Sequence, residues 1–476
     1  MTGRRSLGVV VVALLLSGCT SFADTRRPET RAPAAPTSAA ADENVCPAER
    51  AAPDPDRPEI AFDFRLDDDL HTVWGTETVV FTPDLPTDEL VFRLVPNAPE
   101  SAPAGSRLVV DAVTGDDVTG GRYEEAGGAA PGGRYVVELV DRLAAGESTE
   151  VRLEFTLDVG DGEFERFGAD EGVTWWASGA PLLAWEPGVG WARDPFVGLT
   201  GETATSPAAD TRIRVSAPEE LTVLMTGDQA PPTTPRDGRR VWTSSEPAAR
   251  DVSVAAGTFA TEERTSGSGV RVTVGVLPGA ELDATRLAEW TTGAIGELES
   301  LLGSFPYETL TVPLLPDHGG GIEYPSSILQ ATPSREVLVH EVAHMWFYGM
   351  VGNSQFRDPW LDEAFATYAE ALPGLPSADV LDPVLARPGA VGGSMADFTG
   401  DGPYVRTVYG KGGAALLAAR AVAGPEAFDA AVRCYVDANA WRIATPDDVG
   451  RALADLPSAV DVLVGAGALD EEDLPG

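Results

Sequence analysis

Basic residues are scarce in this chain of 476 residues, and Lys411 is its only lysine. The 74 acidic residues outnumber 34 lysines and arginines, which gives a formal net charge of −40. A surface of that sign repels nucleic acid and anionic lipid head groups, so we expect no nucleic-acid partner. The acidity predicts a well-solvated surface, with attraction of cationic peptides as an alternative interpretation.

Cysteine and histidine are also rare, with three and four residues respectively. Cys46 and Cys434 stand far apart and have no spacing that suits a metal, which argues against a cysteine-based zinc site. Two distant cysteines do not by themselves establish a disulfide, so their pairing stays open. The chain also lacks a motif for a serine or cysteine nucleophile.

Long apolar runs are missing except near the N-terminus, where two arginines precede an apolar stretch from Leu7 to Leu16. This stretch is too short to span a bilayer as a mature helix. It ends in Leu-Ser-Gly-Cys19, which resembles a bacterial lipobox. We expect a signal peptide over residues 1–18, acylation of Cys19 and an extracytoplasmic protein anchored to the outer face of the cell membrane. An ordinary signal peptide with an incidental cysteine is the alternative.

The rest of the chain divides into three parts. Residues 19–57 are rich in proline, alanine and threonine and are expected to form a disordered tether. Residues 58–265 alternate apolar and polar positions in many short runs between turns, which predicts an antiparallel β-sandwich or saddle. Helical periodicity starts near residue 283, so residues 266–476 are expected to form a mainly helical domain. The predicted fold class is therefore α+β.

The sequence His340-Glu341-Val-Ala-His344 is a HExxH motif in a predicted helix from Thr332 to about Gly349. Residues four apart lie on the same helix face, so both imidazoles can bind one zinc ion. Glu341 lies beside them and can act as a base toward a water molecule. HExxH also occurs by chance on surface helices, but apolar neighbours indicate that this helix is buried and that its histidines need partners.

A catalytic zinc site needs a third protein ligand. A second predicted helix, capped by Asp358, contains Glu363, and the intervening loop is long enough for this helix to fold back against the first. We therefore predict one Zn²⁺ per chain, bound by His340, His344 and Glu363. The alternative for Glu363 is a solvated carboxylate at a helix start, a description that suits Asp362 better.

The segment from His340 to Glu363 resembles the aminopeptidase N family of gluzincin zinc peptidases, and the resemblance extends loosely over residues 58–440. It implies a β-saddle domain followed by a thermolysin-like catalytic domain, with peptides as substrates. Ala364 stands where the family usually has glycine. Only 67 residues follow Tyr409, so we do not expect the long C-terminal helical domain of larger members.

The resemblance also suggests how a substrate is bound. Gly320, Gly321 and Glu323 are similar to the family's Gly-x-Met-Glu-Asn motif, although Tyr324 replaces the asparagine. Glycines let the backbone approach a peptide, and the Glu323 carboxylate can bind a free α-ammonium group. A glycine-rich loop with an incidental glutamate is the alternative. The family often adds a second polar group from its β domain, and Glu186 is our candidate.

Tyr409 begins a Tyr-Gly-Lys-Gly segment similar to the family's Tyr-x-Lys-Gly. The resemblance implies that its hydroxyl stabilises the oxyanion of the reaction, as a hydrogen-bond donor aimed at a developing negative charge can do. Lys411 is expected to support the structure. The sequence thus predicts a zinc metallopeptidase, most simply an aminopeptidase. A zinc endopeptidase and a non-catalytic binding protein on a peptidase scaffold are the alternatives, and the oligomeric state stays open.

Overall fold

The computed structural model describes residues 49–475, except 162–165, 171, 200, 202–204 and 373–377. Its described residues have a β-sheet-rich N-terminal part and a largely helical C-terminal part, which confirms the predicted α+β class. The predicted signal peptide, Cys19 and most of the predicted tether lie outside the described residues. Among the residues that are described, no helix has both the length and the apolar character needed to cross a membrane.

The N-terminal domain is built from strands. In the described residues they are β1 (Glu59–Leu66), β2 (Thr72–Phe81), β3 (Thr87–Arg93), β4 (Arg107–Thr114), β5 (Val118–Glu124), β6 (Arg134–Leu143), β7 (Thr149–Asp158), β8 (Phe167–Asp170), β9 (Val173–Ala177), β10 (Leu182–Leu183), β11 (Trp185–Glu186), β12 (Gly190–Trp191), β13 (Ala209–Pro218), β14 (Thr222–Met225), β15 (Asp228–Ala230), β16 (Arg239–Ala249) and β17 (Ser253–Gly257).

These strands form several sheets. The largest has seven strands in the order β15-β16-β13-β1-β2-β7-β4, and two four-stranded sheets have the orders β10-β3-β6-β5 and β14-β17-β9-β8. The alternation read from the sequence holds in β1, where Ile60, Phe62 and Phe64 are buried between exposed neighbours. Their side chains join a core that includes Phe155 and Trp176, because successive strand residues point to opposite faces of the sheet.

The C-terminal domain contains one five-stranded sheet and most of the helices. Its strands are β18 (Ala260–Thr265), β19 (Arg271–Val276), β20 (Thr309–Leu314), β21 (Gly320–Tyr324) and β22 (Ser327–Ala331), in the order β18-β19-β20-β22-β21, with a short pair β23 (Gly352–Asn353) and β24 (Ile443–Ala444) elsewhere. Strand β18 pairs with β19 and therefore belongs to the five-stranded sheet. The strands of that sheet thus begin at Ala260, earlier than the predicted domain boundary after residue 265. Alternation alone does not reveal to which sheet a strand belongs.

The described helices are α1 (Ala284–Leu302), α2 (Arg335–Ala343), α3 (Trp360–Ala371), α4 (Ala378–Leu385), α5 (Asp401–Val405), α6 (Gly412–Ala423), α7 (Pro425–Ala438), α8 (Pro446–Ala452) and α9 (Pro457–Ala466). Helix α2 is shorter than predicted at both ends. Its N-cap is Ser334, which accepts a hydrogen bond from the backbone N–H of Val337, and it ends before His344. Ser334 suits this position because it offers its hydroxyl oxygen to an otherwise unpaired N–H group.

Three contacts differ from the prediction of a disordered tether up to residue 57. Arg50 forms an ion pair of 2.8 Å with Asp437 in α7, and the backbone N–H of Ala51 donates to the Asp437 carbonyl. Arg57 donates to the carbonyl oxygen of Pro247 at 2.7 Å. The composition of this segment predicts that it has no apolar core, but individual charged and backbone groups still bind it to the folded domains.

The two domains contact each other through buried polar groups near the β21–β22 hairpin. The Ser326 hydroxyl accepts from the backbone N–H of Gly227 at 2.9 Å, and Ser253 donates to Ser327 at 2.8 Å. The buried guanidinium of Arg250 donates to the carbonyl oxygen of Tyr348 at 3.0 Å, just beyond α2. The β domain therefore holds both the hairpin and the turn after α2 in place.

Candidate metal site

His340, His344 and Glu363 come together where α2 packs against α3. Their candidate ligand atoms all lie within 4.8 Å of one another. Oε2 of Glu363 is 3.4 Å from Nε2 of His340 and 3.5 Å from Nε2 of His344. His344 is the C-cap of α2, so the C-terminal end of one helix and the first turn of the next supply the three side chains.

This geometry fits a zinc ion. Ligand atoms at about 2.0–2.1 Å from a tetrahedral zinc are about 3.4 Å apart, which matches both separations from the Glu363 oxygen. That oxygen is buried and has no hydrogen-bond partner among the described residues. A buried carboxylate oxygen without a partner is costly, and a cation between the three side chains would satisfy it. Two imidazoles from a HExxH helix and one glutamate are a ligand set of catalytic zinc sites.

Two carboxylates orient the histidine rings. Nδ1 of His344 lies 2.5 Å from Oδ1 of Asp362, and Nδ1 of His340 lies 3.0 Å from Oε2 of Glu370. An ionised carboxylate only accepts hydrogen bonds, so each Nδ1 carries the proton and each Nε2 presents its lone pair. Asp362 is completely buried, which corrects the expectation of a solvated carboxylate at the helix start.

The same contacts change the pKa values of the ligand side chains in the metal-free protein. Burial lowers the pKa of His340, but the neighbouring carboxylates of Glu363 and Glu370 outweigh it and raise the pKa to about 10. Burial raises the pKa of Glu363, yet the proximity of both histidines lowers it well below its usual value. Protons therefore compete with a metal for the histidines, and metal affinity should fall as the pH is lowered.

Glu341 lies beside the ligands rather than among them. It is buried, and one of its carboxylate oxygens has no hydrogen-bond partner among the described residues. Burial raises its pKa, an effect that His340 and His344 partly oppose, to about 7. A carboxylate with that pKa can take up and return a proton near neutral pH.

Strand β21 places Glu323 next to this carboxylate. Glu323, Glu341 and His344 form a second group whose nitrogen and carboxylate oxygen atoms lie within 4.8 Å of one another. In the described sheet β21 is an edge strand, paired only with β22. Gly320 begins the strand, and Gly321 follows it directly opposite the side chain of Glu341. The motif predicted to bind substrate therefore lies beside the candidate metal site.

Tyr409 reaches the site from the other side. It lies in a π-helical turn, Arg406–Lys411, and its hydroxyl donates to Oε1 of Glu363 at 2.5 Å. Its ring stacks at 6.1 Å on that of His340. Such turns are frequent at functional sites because the extra residue changes the direction of side chains. Lys411 donates instead to the carbonyl oxygen of Gly389.

Comparison with known proteins supports a zinc site at this position. Residues 323–374 match the family model described as the Peptidase family M1 domain. This matched segment is similar to peptidase family M1 and contains the three candidate zinc ligands. Aminopeptidase N from Streptomyces lividans is 30% identical over 132 residues, a match covering 22% of this chain and 14% of that protein. The chain thus matches much less than two thirds of the length of that relative.

Solved structures of the family have the same fold. An M1 zinc metallopeptidase from Deinococcus radiodurans superposes with a TM-score of 0.64 and 19% identity, covering 89% of this chain and 96% of that one. A mutant of the Deinococcus enzyme bound to a Tyr-Ser-Ala substrate has a TM-score of 0.64 and 17% identity, covering 91% and 99% respectively. At these identities the likeness establishes the fold.

Glu186, the predicted second substrate-binding group, contacts other charged residues. Its carboxylate forms an ion pair with Arg357, which also binds Asp194. Near the Glu323 strand, the β domain instead contributes Ser178, whose hydroxyl lies 3.2 Å from that of Tyr324. A role for Glu186 in substrate binding stays a prediction.

Two residues at the metal site were not found by sequence reasoning. Glu370 follows Glu363 by seven positions, two helical turns, so its place on the same face could have been recognised. Gln355, which donates to Asp362 at 2.9 Å, lies in the loop between α2 and α3 and has no periodic signal.

Proposed function

We propose that this protein is a zinc-dependent aminopeptidase that removes single residues from the N-termini of peptides. The observation that supports the proposal best is the distance of at most 4.8 Å between the side-chain ligand atoms of Glu323, Glu341 and His344. One carboxylate suits the α-ammonium group of a peptide, and the second suits proton transfer next to the metal ligands.

The spacing of a peptide backbone explains why one residue is removed. The α-nitrogen and carbonyl carbon of a residue are about 2.5 Å apart. An ammonium group held by Glu323 therefore leaves room for one residue before the carbonyl group reaches the candidate metal site. Longer peptides can extend along β21, whose outer edge offers backbone groups for an added strand.

Each residue of the site has a separate role in the proposed peptide hydrolysis. Glu341 would accept a proton from the attacking water and return it to the leaving amine. The Tyr409 hydroxyl would turn from Glu363 to donate to the developing oxyanion. Zinc, when bound by His340, His344 and Glu363, would polarise the scissile carbonyl and lower the pKa of a water molecule. The match of residues 323–374 to the M1 family model and the name of the Streptomyces relative support this assignment.

The test compares a zinc-loaded protein on a tripeptide with a free N-terminus and on its N-acetylated form. The free tripeptide should lose its first residue with kcat/KM about 100-fold higher, because acetylation removes a charged hydrogen bond to Glu323. A Glu323→Gln variant should lose most of this preference. Equal cleavage of both peptides would refute the aminopeptidase assignment, with internal cleavage indicating an endopeptidase. A zinc-bound protein without hydrolysis would indicate a binding protein.

We also propose that the chain is lipid-anchored through Cys19 on the outer face of the cell membrane. The lipobox-like end of the apolar stretch supports this proposal. Detergent phase partitioning of membranes from cells expressing the full chain should place the protein in the detergent phase, and a Cys19→Ala variant in the aqueous phase. Recovery of the unaltered chain in the aqueous phase would contradict the anchor.

A further inference from the structure

A buried chain of hydrogen bonds leads away from His344. Asp362 accepts from Nδ1 of His344 with one carboxylate oxygen and from Nε2 of Gln355 with the other, at 2.5 and 2.9 Å. The same amide nitrogen of Gln355 donates to Oδ1 of Asn353 at 3.1 Å. All four residues are at most 4% exposed, so little solvent competes for these bonds.

The acceptors in this chain of hydrogen bonds fix the orientations of the Gln355 and Asn353 side-chain amides. If the Gln355 amide were reversed, its oxygen would face the carboxylate of Asp362 and the carbonyl oxygen of Asn353. Asn353 in turn uses its own amide nitrogen on the backbone carbonyl of Asp358 at 2.9 Å. Each donor therefore meets an acceptor in only one arrangement.

Both domains hold Gln355 in position. Its backbone N–H donates to the hydroxyl of Thr205, from the β domain, at 3.2 Å. On its other side, Asn353 lies in β23, whose partner β24 comes from the segment just before α8. The loop that carries Gln355 thus has fixed neighbours on both sides, although it has no helical structure of its own.

We propose that Asp362 and Gln355 are positioning residues that set the zinc affinity of the site through His344. Asp362 keeps the proton of His344 on Nδ1, so that Nε2 faces the site, and the hydrogen bond from Gln355 prevents the carboxylate from rotating away. The proposal rests on the zinc site of the proposed function. It assigns a role to a loop residue that touches neither metal nor substrate.

The two histidines are not supported equally. The side chains of His344 and Asp362 are 1% and 0% exposed, whereas those of His340 and Glu370 are 14% and 17% exposed. An ionic hydrogen bond is stronger where water is excluded. Loss of the Asp362 carboxylate should therefore weaken zinc binding more than loss of the Glu370 carboxylate.

The experiment measures zinc affinity of the metal-free full chain by competition with a chelator at fixed pH. Asp362→Asn should weaken zinc binding by about 10- to 100-fold, and Glu370→Gln by less. Gln355→Met, which keeps volume but removes the donor, should weaken it by about three- to tenfold, the equivalent of one hydrogen bond. Two control variants should leave the zinc affinity unchanged. Asp429→Asn weakens an ion pair with Arg420, and Gln229→Met loses a hydrogen bond to a backbone carbonyl group.

A second readout separates positioning from general loss of stability. With cobalt in place of zinc, the visible absorption spectrum should shift in the Asp362 and Gln355 variants and stay unchanged in both controls. Zinc affinity and cobalt spectra equal to those of the parent chain in both variants would overturn the inference, even if their melting temperatures fell. If the parent chain itself bound no zinc, the proposed function would fail instead.

Discussion

Gly321 faces Glu341 so closely that a β-carbon at position 321 would lie 2.6 Å from Cγ and 2.7 Å from Cδ of the glutamate. Real β-carbon contacts are not this short, so any larger residue must displace the Glu341 side chain. The glycine in strand β21 is therefore required by the neighbouring Glu341 side chain, in addition to its predicted role in the close approach of a peptide.

A Gly321→Ala variant tests this relationship. We expect kcat to fall by about 100-fold, because a base that is moved by about 1 Å loses its alignment with the reacting atoms, while zinc content stays the same. The matched control is Gly293→Ala in α1, where an added methyl group meets no atom within 4 Å. Its activity should be unchanged, and equal activity of both variants would show that Glu341 tolerates displacement.

Removing the hydroxyl of Tyr409 should reduce turnover without loss of metal. Tyr409→Phe loses the donor that now binds Glu363 at 2.5 Å, and removal of one oxyanion donor costs about 10²–10³ in kcat. Steady-state kinetics and zinc content together check this expectation. Tyr368→Phe, which loses a bond to Asp429, is the control and should retain turnover. A fully active Tyr409→Phe variant would rule out its proposed role.

Glu341→Gln should separate metal binding from proton transfer. The variant keeps the size of the buried side chain but cannot accept a proton, so we expect full zinc content and a loss of about 10²–10⁴ in kcat. Element analysis and hydrolysis assays on the same sample provide the measurement. A variant that kept parental turnover would assign the base to another group.

Stability of the metal-free chain should fall as the pH rises from about 4 to 7. Burial raises the pKa of Glu246 to about 7 and that of Asp251 to about 6. The folded chain then keeps protons that the unfolded chain has released, so the free energy of unfolding decreases through this range. Glu246 alone accounts for about 3 kcal/mol.

A Glu246→Gln variant is the necessary comparison, since a chain with a net charge of −40 also repels itself more strongly as carboxyl groups ionise. Denaturant unfolding at several pH values should show a shallower decline in the variant. Parallel curves for both proteins would mean that Glu246 is ionised at low pH in the folded chain.

Local spacing was sufficient to predict the ligand set. His340 and His344 are four residues apart on one helix, and Glu363 opens the next helix, so their meeting requires only that α2 and α3 pack together. The strands and helices were predictable for the same reason, because alternation and helical periodicity are properties of short segments.

Contacts that depend on the tertiary fold were not predictable. The sequence predicts a solvated Asp362 because charged residues are common at helix starts, but the packing of α3 on α2 buries it against His344. Gln355 belongs to a loop, and its partners come from three separate segments. The assignment of β18 to the second sheet likewise depends on pairing rather than on its own sequence.

Binding of one zinc ion by His340, His344 and Glu363 is tested most directly by native mass measurement with element analysis. We predict one zinc per parent chain and a strong loss of zinc from a Glu363→Ala variant that still folds. A parent chain that binds no zinc after incubation with the metal, or a Glu363→Ala variant that binds it as tightly as the parent, would contradict the account.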